Sequence, residues 1–232
     1  MLSKLYDWVL GQRPERGHAI VALGGGVVGD LAGLAAATLL RGIPYVQVPT
    51  SLLAMVDSSV GGKTAINHPL GKNLIGAFYQ PGLVLIDTDT LRTLPPRERV
   101  SGWAEVIKHG LIRDAEYFRF LEQNCESLLT LEGGATRQAV LRSVAIKSGI
   151  VGRDERETTG ERSLLNYGHT LAHGLEAATG YGRFLHGEAV AVGMAGAGRI
   201  SREMGLLPAE KAEAQEKLLE RFGLPTRCTD ID

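Results

Sequence analysis

Four of the six histidines fall between His109 and His186, and three of them, His169, His173 and His186, lie close together among glycines. His169 and His173 are spaced i, i+4, so on a helix they share one face. Such a pair can begin a metal site, and His186-Gly187-Glu188 offers further ligands. Catalytic zinc commonly takes three protein ligands and keeps one position open. Glu105, on a helical face shared with Lys108 and His109, is the candidate carboxylate. A single histidine here would more simply be solvated or bonded to a carbonyl, but three together beside glycines favour a metal.

A second constellation is Gly24-Gly25-Gly26-Val27-Val28-Gly29, which matches G-x-G-x-x-G directly after an apolar run and before a helical one. In that setting backbone N–H groups and the positive end of a helix can receive a pyrophosphate. The acidic residue that usually ends the next strand and contacts ribose is absent, because YVQVP runs into Thr50-Ser51. A dinucleotide site here would be a variant one. Gly61-Gly62-Lys63-Thr64 resembles the tail of a triphosphate-binding loop, but Asp57 stands where that pattern needs glycine, which disfavours a nucleotide triphosphatase. Asp57, Lys63, Lys72 and Asn73 remain, around glycine-rich turns, and suit a phosphorylated, carboxylated substrate.

The elements that must hold these residues fall into two regimes. Residues 17 to 94 alternate short apolar runs with small-residue helices: HAIVALGG reads as a buried strand, DLAGLAAATLLRG as a helix, and IPYVQVP and GLVLID as further strands. Strands separated by helices argue for a parallel sheet. From Pro95 onward the apolar residues recur at three- and four-residue steps, and the segments beginning RERVSG, AEYFRF, ATRQAV, LLNYGH, HGEAVA and PAEKAE all read as helices. The expectation is an α/β part over residues 1–94, with an incomplete Rossmann-like parallel sheet, followed by an all-α part over 95–232. With 44% apolar and 22% charged residues and a net charge of −1, nothing points to nucleic acid or a membrane surface. The N-terminus reads as a short amphipathic helix rather than a signal peptide, and two distant cysteines fit a reducing cytoplasm.

The blocks ALGGGVVGDLAG, RGIPYVQVPTSLLAMVDSSVGGKTAIN, GKNLIGAFYQP, AEVIKHG, LLNYGHTLAH and LHGEAVAVGM together resemble the 3-dehydroquinate synthases, in order and spacing, over about residues 17–225. The resemblance implies an NAD- and divalent-metal-dependent carbon–oxygen lyase of the shikimate pathway. Its substrate would be 3-deoxy-D-arabino-heptulosonate 7-phosphate. It implies metal ligands at Glu105, His169 and His186, which moves His173 into the substrate pocket. Asp57, Lys63, Lys72, Asn73, Lys108, Lys147, Arg162, Asn166 and His173 match substrate-binding positions, with Lys63, Lys108, Asn166 and His173 as the catalytic ones. Arg41 matches an arginine lent across a homodimer interface. For NAD the matches are Gly25, Gly26, Val27, Asp30, Thr50, Ser51, Thr93, Leu94 and Glu98. The metal would be zinc or cobalt.

Resembling enzymes continue further at both ends, with early strands that hold the adenosine and ribose of NAD and a late D-K-K segment whose lysine meets substrate. The chain is therefore expected to be a truncated piece that binds NAD weakly and turns over poorly alone. Other sugar phosphate cyclases, a metal-dependent alcohol dehydrogenase of similar architecture, and an inactive fragment are the competing readings.

Overall fold

The structure is a computed structural model that describes residues 1–180 and 182–228. Its contacts divide the chain into two compact units, Met1–Thr90 and Leu91–Asp232.

The first unit opens with α1 (Leu2–Gly11), followed by β1 (Ile20–Gly24), α2 (Gly26–Thr38) and β2 (Tyr45–Pro49). An antiparallel hairpin, β3 (Lys63–His68) and β4 (Gly71–Phe78), comes next, and then the short β5 (Leu83–Val84). Among the described residues β1, β2 and β5 form one parallel sheet in that order, with Ile20 facing Tyr45 and Val46 facing Leu83. The helix between β1 and β2 makes the parallel crossover possible. Ala35 and Ala36 of α2, with Leu39 just after it, pack with Val9, Ile43 and Tyr45 in a small core, and Tyr79 stacks on Tyr45 at 5.7 Å.

Two sequence expectations change in this unit. HAIVALGG reads as a buried strand, yet only Ala22 is buried, while Val21 and Leu23 are each 64% exposed. Successive side chains of a strand face opposite sides, and α2 covers the Ala22 side. The hairpin was not legible, because Gly61, Gly62, Gly71 and Gly76 punctuate its alternation and read as turns.

The second unit is helical: α3 (Pro96–Arg113), α4 (Ala115–Gln123), α5 (Cys125–Leu129), α6 (Gly133–Arg153), α7 (His169–Ala178), α8 (His186–Glu203) and α9 (Ala209–Arg221). α3 is its axis, since every residue from Ser101 to Gly110 is buried. Trp103 of α3 packs on Phe222, with ring centroids 5.3 Å apart. Asp114 caps α4 by accepting from the Tyr117 amide, and it pairs with Arg142 of α6 at 2.7 Å. The Tyr117 hydroxyl reaches Ala139 O and Ser143 Oγ, which fastens α4 to α6, and burial pushes that phenol up beyond ordinary titration. Gln215 of α9 donates to Met194 O of α8 and accepts from the Tyr167 hydroxyl.

The segment LLNYGHTLAHGLEAATG is not one helix. A 3-10 turn over Glu161–Asn166 ends before Gly168, which sits at φ +80, and α7 begins at His169. Glycine enters that left-handed region without the clash a Cβ brings. The break makes His169 the first residue of a helix.

Candidate active site

Glu105 is the centre of the helical unit's chemistry. It lies mid-way along α3 with no exposure, and its Oε2 is in direct ion contact with Lys108 Nζ one turn on. His169, opening α7, and His186, opening α8, direct their Nε2 atoms at Glu105 Oε1 from 3.7 and 3.6 Å. Those distances allow attraction but not hydrogen bonding, so Glu105 Oε1 lacks the close partner that Oε2 has in Lys108. Burial alone would raise the Glu105 pKa; the Lys108 ammonium and the two imidazoles instead hold it well below the usual carboxylate range. Burial and the Lys108 charge push His169 down to about 4, so at neutral pH it is an uncharged imidazole with a lone pair to give.

The donor set fits a divalent cation. One ligand atom from each of Glu105, His169 and His186 lies within 4.8 Å of the others. Tetrahedral ligands at ordinary zinc distances stand roughly 3.3–3.6 Å apart, close to the separations seen here. Glu105 Oε1, a buried carboxylate oxygen that accepts no hydrogen bond, is an atom that a cation would satisfy. Spacing alone had favoured His169 with His173. The rings of that pair meet edge to face at 5.6 Å, but His173 is exposed and outside the cluster.

α8 reaches Glu105 because its first turn presses against α3. A Cβ on Gly187 would stand 1.9 Å from Ser101 O, so only glycine permits the approach. The Gly187 amide donates to Ser101 Oγ at 3.1 Å. Glu188, considered above as a possible ligand, instead caps the Leu185 amide and holds the Arg97 guanidinium with both oxygens at 2.7 Å.

The remaining residues of this unit occupy its loops and helix faces. Lys108 adjoins Glu105, and Lys147 is buried on α6. Asn166 and His173 are exposed at the end of the 3-10 turn and on α7. Arg162 is buried, with its guanidinium on Glu155 O and its backbone amide on Asp154 Oδ2 at 3.0 Å. Thr93 closes a 3-10 turn, Leu94 follows it, and Glu98 lies in the first turn of α3.

In the first unit Gly25 caps α2, and its carbonyl accepts from Val28 and Gly29. A Cβ on Gly25 would come 3.4 Å from Ser51 Oγ and one on Gly26 3.0 Å from Ser58 Oγ, so the loop is a narrow cradle. The Thr50 amide closes it by donating to Gly24 O. Val27 is 79% exposed at the cradle's edge, and Asp30 follows in the next turn of α2. Arg41 is exposed at φ +70, and Asp57 lies in a π-helical turn over Ala54–Ser58. Lys63 and Lys72 stand at opposite ends of the hairpin, Lys63 opposite Phe78 and Lys72 beside Gly71, which faces His68. Five ladder steps of ~3.3 Å separate those ends. Asn73, at φ +54, donates its amide to Asn67 Oδ1.

Sequence reasoning missed Asp154 and Glu176, two buried carboxylates beside site residues. Glu176 falls seven residues after His169 on one helix face, a periodicity visible in retrospect.

Comparisons with known proteins identify the family. Residues 1–101 match the family described as 3-dehydroquinate synthase N-terminal, and residues 102–232 match 3-dehydroquinate synthase C-terminal. A 3-dehydroquinate synthase of Geotalea uraniireducens is 57% identical over 224 residues, covering 97% of this chain and 62% of the relative. This chain thus spans less than two thirds of the length of such relatives. A solved 2-epi-5-epi-valiolone synthase from Streptomyces hygroscopicus, with NAD+ and Zn2+ bound, superposes with a TM-score of 0.92 at 32% identity. That match covers 98% of this chain and 64% of the other. A 2-deoxy-scyllo-inosose synthase complexed with carbaglucose-6-phosphate, NAD+ and Co2+ gives 0.90 at 34%, covering 98% and 63%. With both of its parts matched by the two halves of one family, the chain belongs to the 3-dehydroquinate synthases.

Proposed function

We propose that this chain carries the metal- and substrate-binding machinery of a 3-dehydroquinate synthase, which turns 3-deoxy-D-arabino-heptulosonate 7-phosphate into 3-dehydroquinate and phosphate. The observation that carries the reading is the buried Glu105 carboxylate faced by two imidazole Nε2 atoms, of His169 and His186. The greater identity to a dehydroquinate synthase, 57% against 32% and 34% for the two other cyclases, favours this branch.

Glu105, His169 and His186 would hold zinc or cobalt, and the glycine cradle at Gly25 and Gly26, with Val27, Asp30, Thr50, Ser51, Thr93, Leu94 and Glu98, would hold NAD. When bound, the ion supplies Lewis-acid polarisation of a substrate hydroxyl, and NAD a hydride acceptor that is regenerated within the cycle. Lys108 holds the substrate's reacting end beside the carboxylate with which it is paired. Arg162 and Lys147, with Lys63, Lys72 and Arg41, neutralise phosphate and carboxylate through charge-assisted hydrogen bonds. Asp57, Asn73 and Asn166 orient hydroxyls, and His173 moves protons at the face beside His169. Fixing one substrate orientation supplies much of the remaining acceleration. We place the two parts of this machinery in domains of residues 1–94 and 95–232. The working unit is a homodimer, in which Arg41 serves the neighbouring site. No helix among the described residues is long and apolar enough to cross a membrane. Cys125 and Cys228 are free thiols, and we assign the reaction to the cytoplasm.

The test is phosphate release from that heptulosonate phosphate with NAD, with and without a chelator. Slow, chelator-sensitive release without net NADH, and a product with the mass of dehydroquinate, is the expected outcome. Accumulating NADH would replace the reading with a dehydrogenase, and a different product mass with another cyclase.

A further inference from the structure

An imidazole offers a lone pair from one nitrogen only when the other nitrogen carries the proton, so whatever binds that proton sets the tautomer and the ring's direction. His169 has such a partner in the backbone: its Nδ1 lies 3.3 Å from Tyr167 O. His186 is flanked by carboxylates on both edges. Its Nε2 faces Glu105 Oε1 at 3.6 Å, and its Nδ1 faces Glu176 Oε1 at 3.7 Å. Glu176 is 3% exposed, so its carboxylate faces the ring in a buried setting where electrostatic attraction is strong. It sits two turns after His169 on the same face of α7. One helix therefore presents both a candidate ligand and a group behind the neighbouring ligand.

We propose that Glu176 is a positioning residue for the metal site. Its carboxylate attracts the Nδ1–H of His186 across 3.7 Å, keeps the Nε2 lone pair turned to the side of Glu105 Oε1, and raises the ring's basicity. The two histidines are thus oriented unequally, His169 by a neutral carbonyl and His186 by an anion. The proposal rests on the reading that Glu105, His169 and His186 hold a divalent cation.

The experiment measures Co2+ affinity of the metal-stripped chain by chelator competition, together with the visible d–d absorption of the Co2+ form. It compares the wild type with Glu176→Ala and Glu176→Gln. Affinity should fall by about 10–100-fold in Glu176→Ala, the usual loss on removing such a partner, with an altered d–d envelope. Glu176→Gln keeps an acceptor oxygen without the charge and should fall between, with an unchanged metal-free unfolding midpoint. It carries the test should the alanine variant fail to fold. Wild-type affinity and spectrum in Glu176→Gln and Glu176→Ala would overturn the proposal while leaving the metal site standing. An affinity loss matched by an equal loss of metal-free stability would reduce Glu176 to a structural residue. A wild-type chain that binds no Co2+ would remove the metal reading, and this inference with it.

Discussion

Around the glycine loop of the first unit, Leu23 is 64% and Val27 79% exposed, and the chemistry is offered by backbone and small side chains at the surface. Along α3 of the second unit everything from Ser101 to Gly110 is buried, Glu105, Lys108 and His109 included. A cradle built of backbone is tolerant, because its donors stay whatever side chains surround them. A cluster of buried charges is not, because each member is stable only while its partners remain. The helical unit should therefore respond to single substitutions far more strongly than the loop region does.

Removing the central carboxylate should produce the largest effect. Glu105→Ala leaves Lys108 buried without the anion it contacts, and breaking such a pair typically costs about 3–5 kcal/mol. Urea unfolding of the metal-free chain reads that loss directly, and metal binding should disappear with it. An unchanged midpoint would mean that this carboxylate is not the hub described here.

Next comes Gly187→Ala. The new methyl meets the Ser101 carbonyl, backbone that cannot rotate away, so α8 must retreat from α3. Overpacking of this kind costs about 1–3 kcal/mol. Because His186 moves with the helix, Co2+ affinity should drop alongside the melting temperature, and a drop in only one of them would uncouple the contact from the site.

A smaller, pH-dependent effect is expected in the loop before α7. The amides of Arg162, Thr159 and Thr158 draw the Asp154 carboxyl down to about 2, despite its burial. A pKa lowered on folding means that the contribution is complete above the ordinary value of 3.8 and is lost as pH falls through about 2. Amide hydrogen exchange at residues 158–162 should accelerate only in that acid window. In Asp154→Asn the acid transition should vanish and Arg162 should lose its fixed backbone, raising KM for an anionic substrate more than it lowers kcat.

The least effect belongs to the first unit. Val21→Thr and Leu23→Thr keep strand propensity at exposed positions and should shift stability by no more than about 0.5 kcal/mol. A loss of several times that, measured by the same urea titration, would show that this face is covered in solution and would weaken the contrast between the units.

Much of this contrast can be read in the chain itself. The strand–glycine–helix order and the helical periods after Pro95 are local properties, carried by spacing and glycine placement, and they reappear as β1, α2 and the α3–α9 series. The candidate metal ligands are named through the family's motif blocks, whereas spacing by itself pairs His169 with His173, which lies outside the Glu105 cluster. Helical i, i+4 spacing says which residues share a face, not which face meets another helix. His186 is seventeen positions from His169 and comes to it only because α8 packs on α3 through Gly187.

What the sequence alone determined is therefore the class of most elements, the glycine cradle and the family, since all three are written in nearby residues and their order. Which carboxylate stands behind His186, why α7 starts at His169, and how Arg162 is held by Asp154 were decided only by tertiary structure. Each depends on a contact between separate elements or on one backbone angle at Gly168, and packing selects these from many arrangements that local propensities leave open.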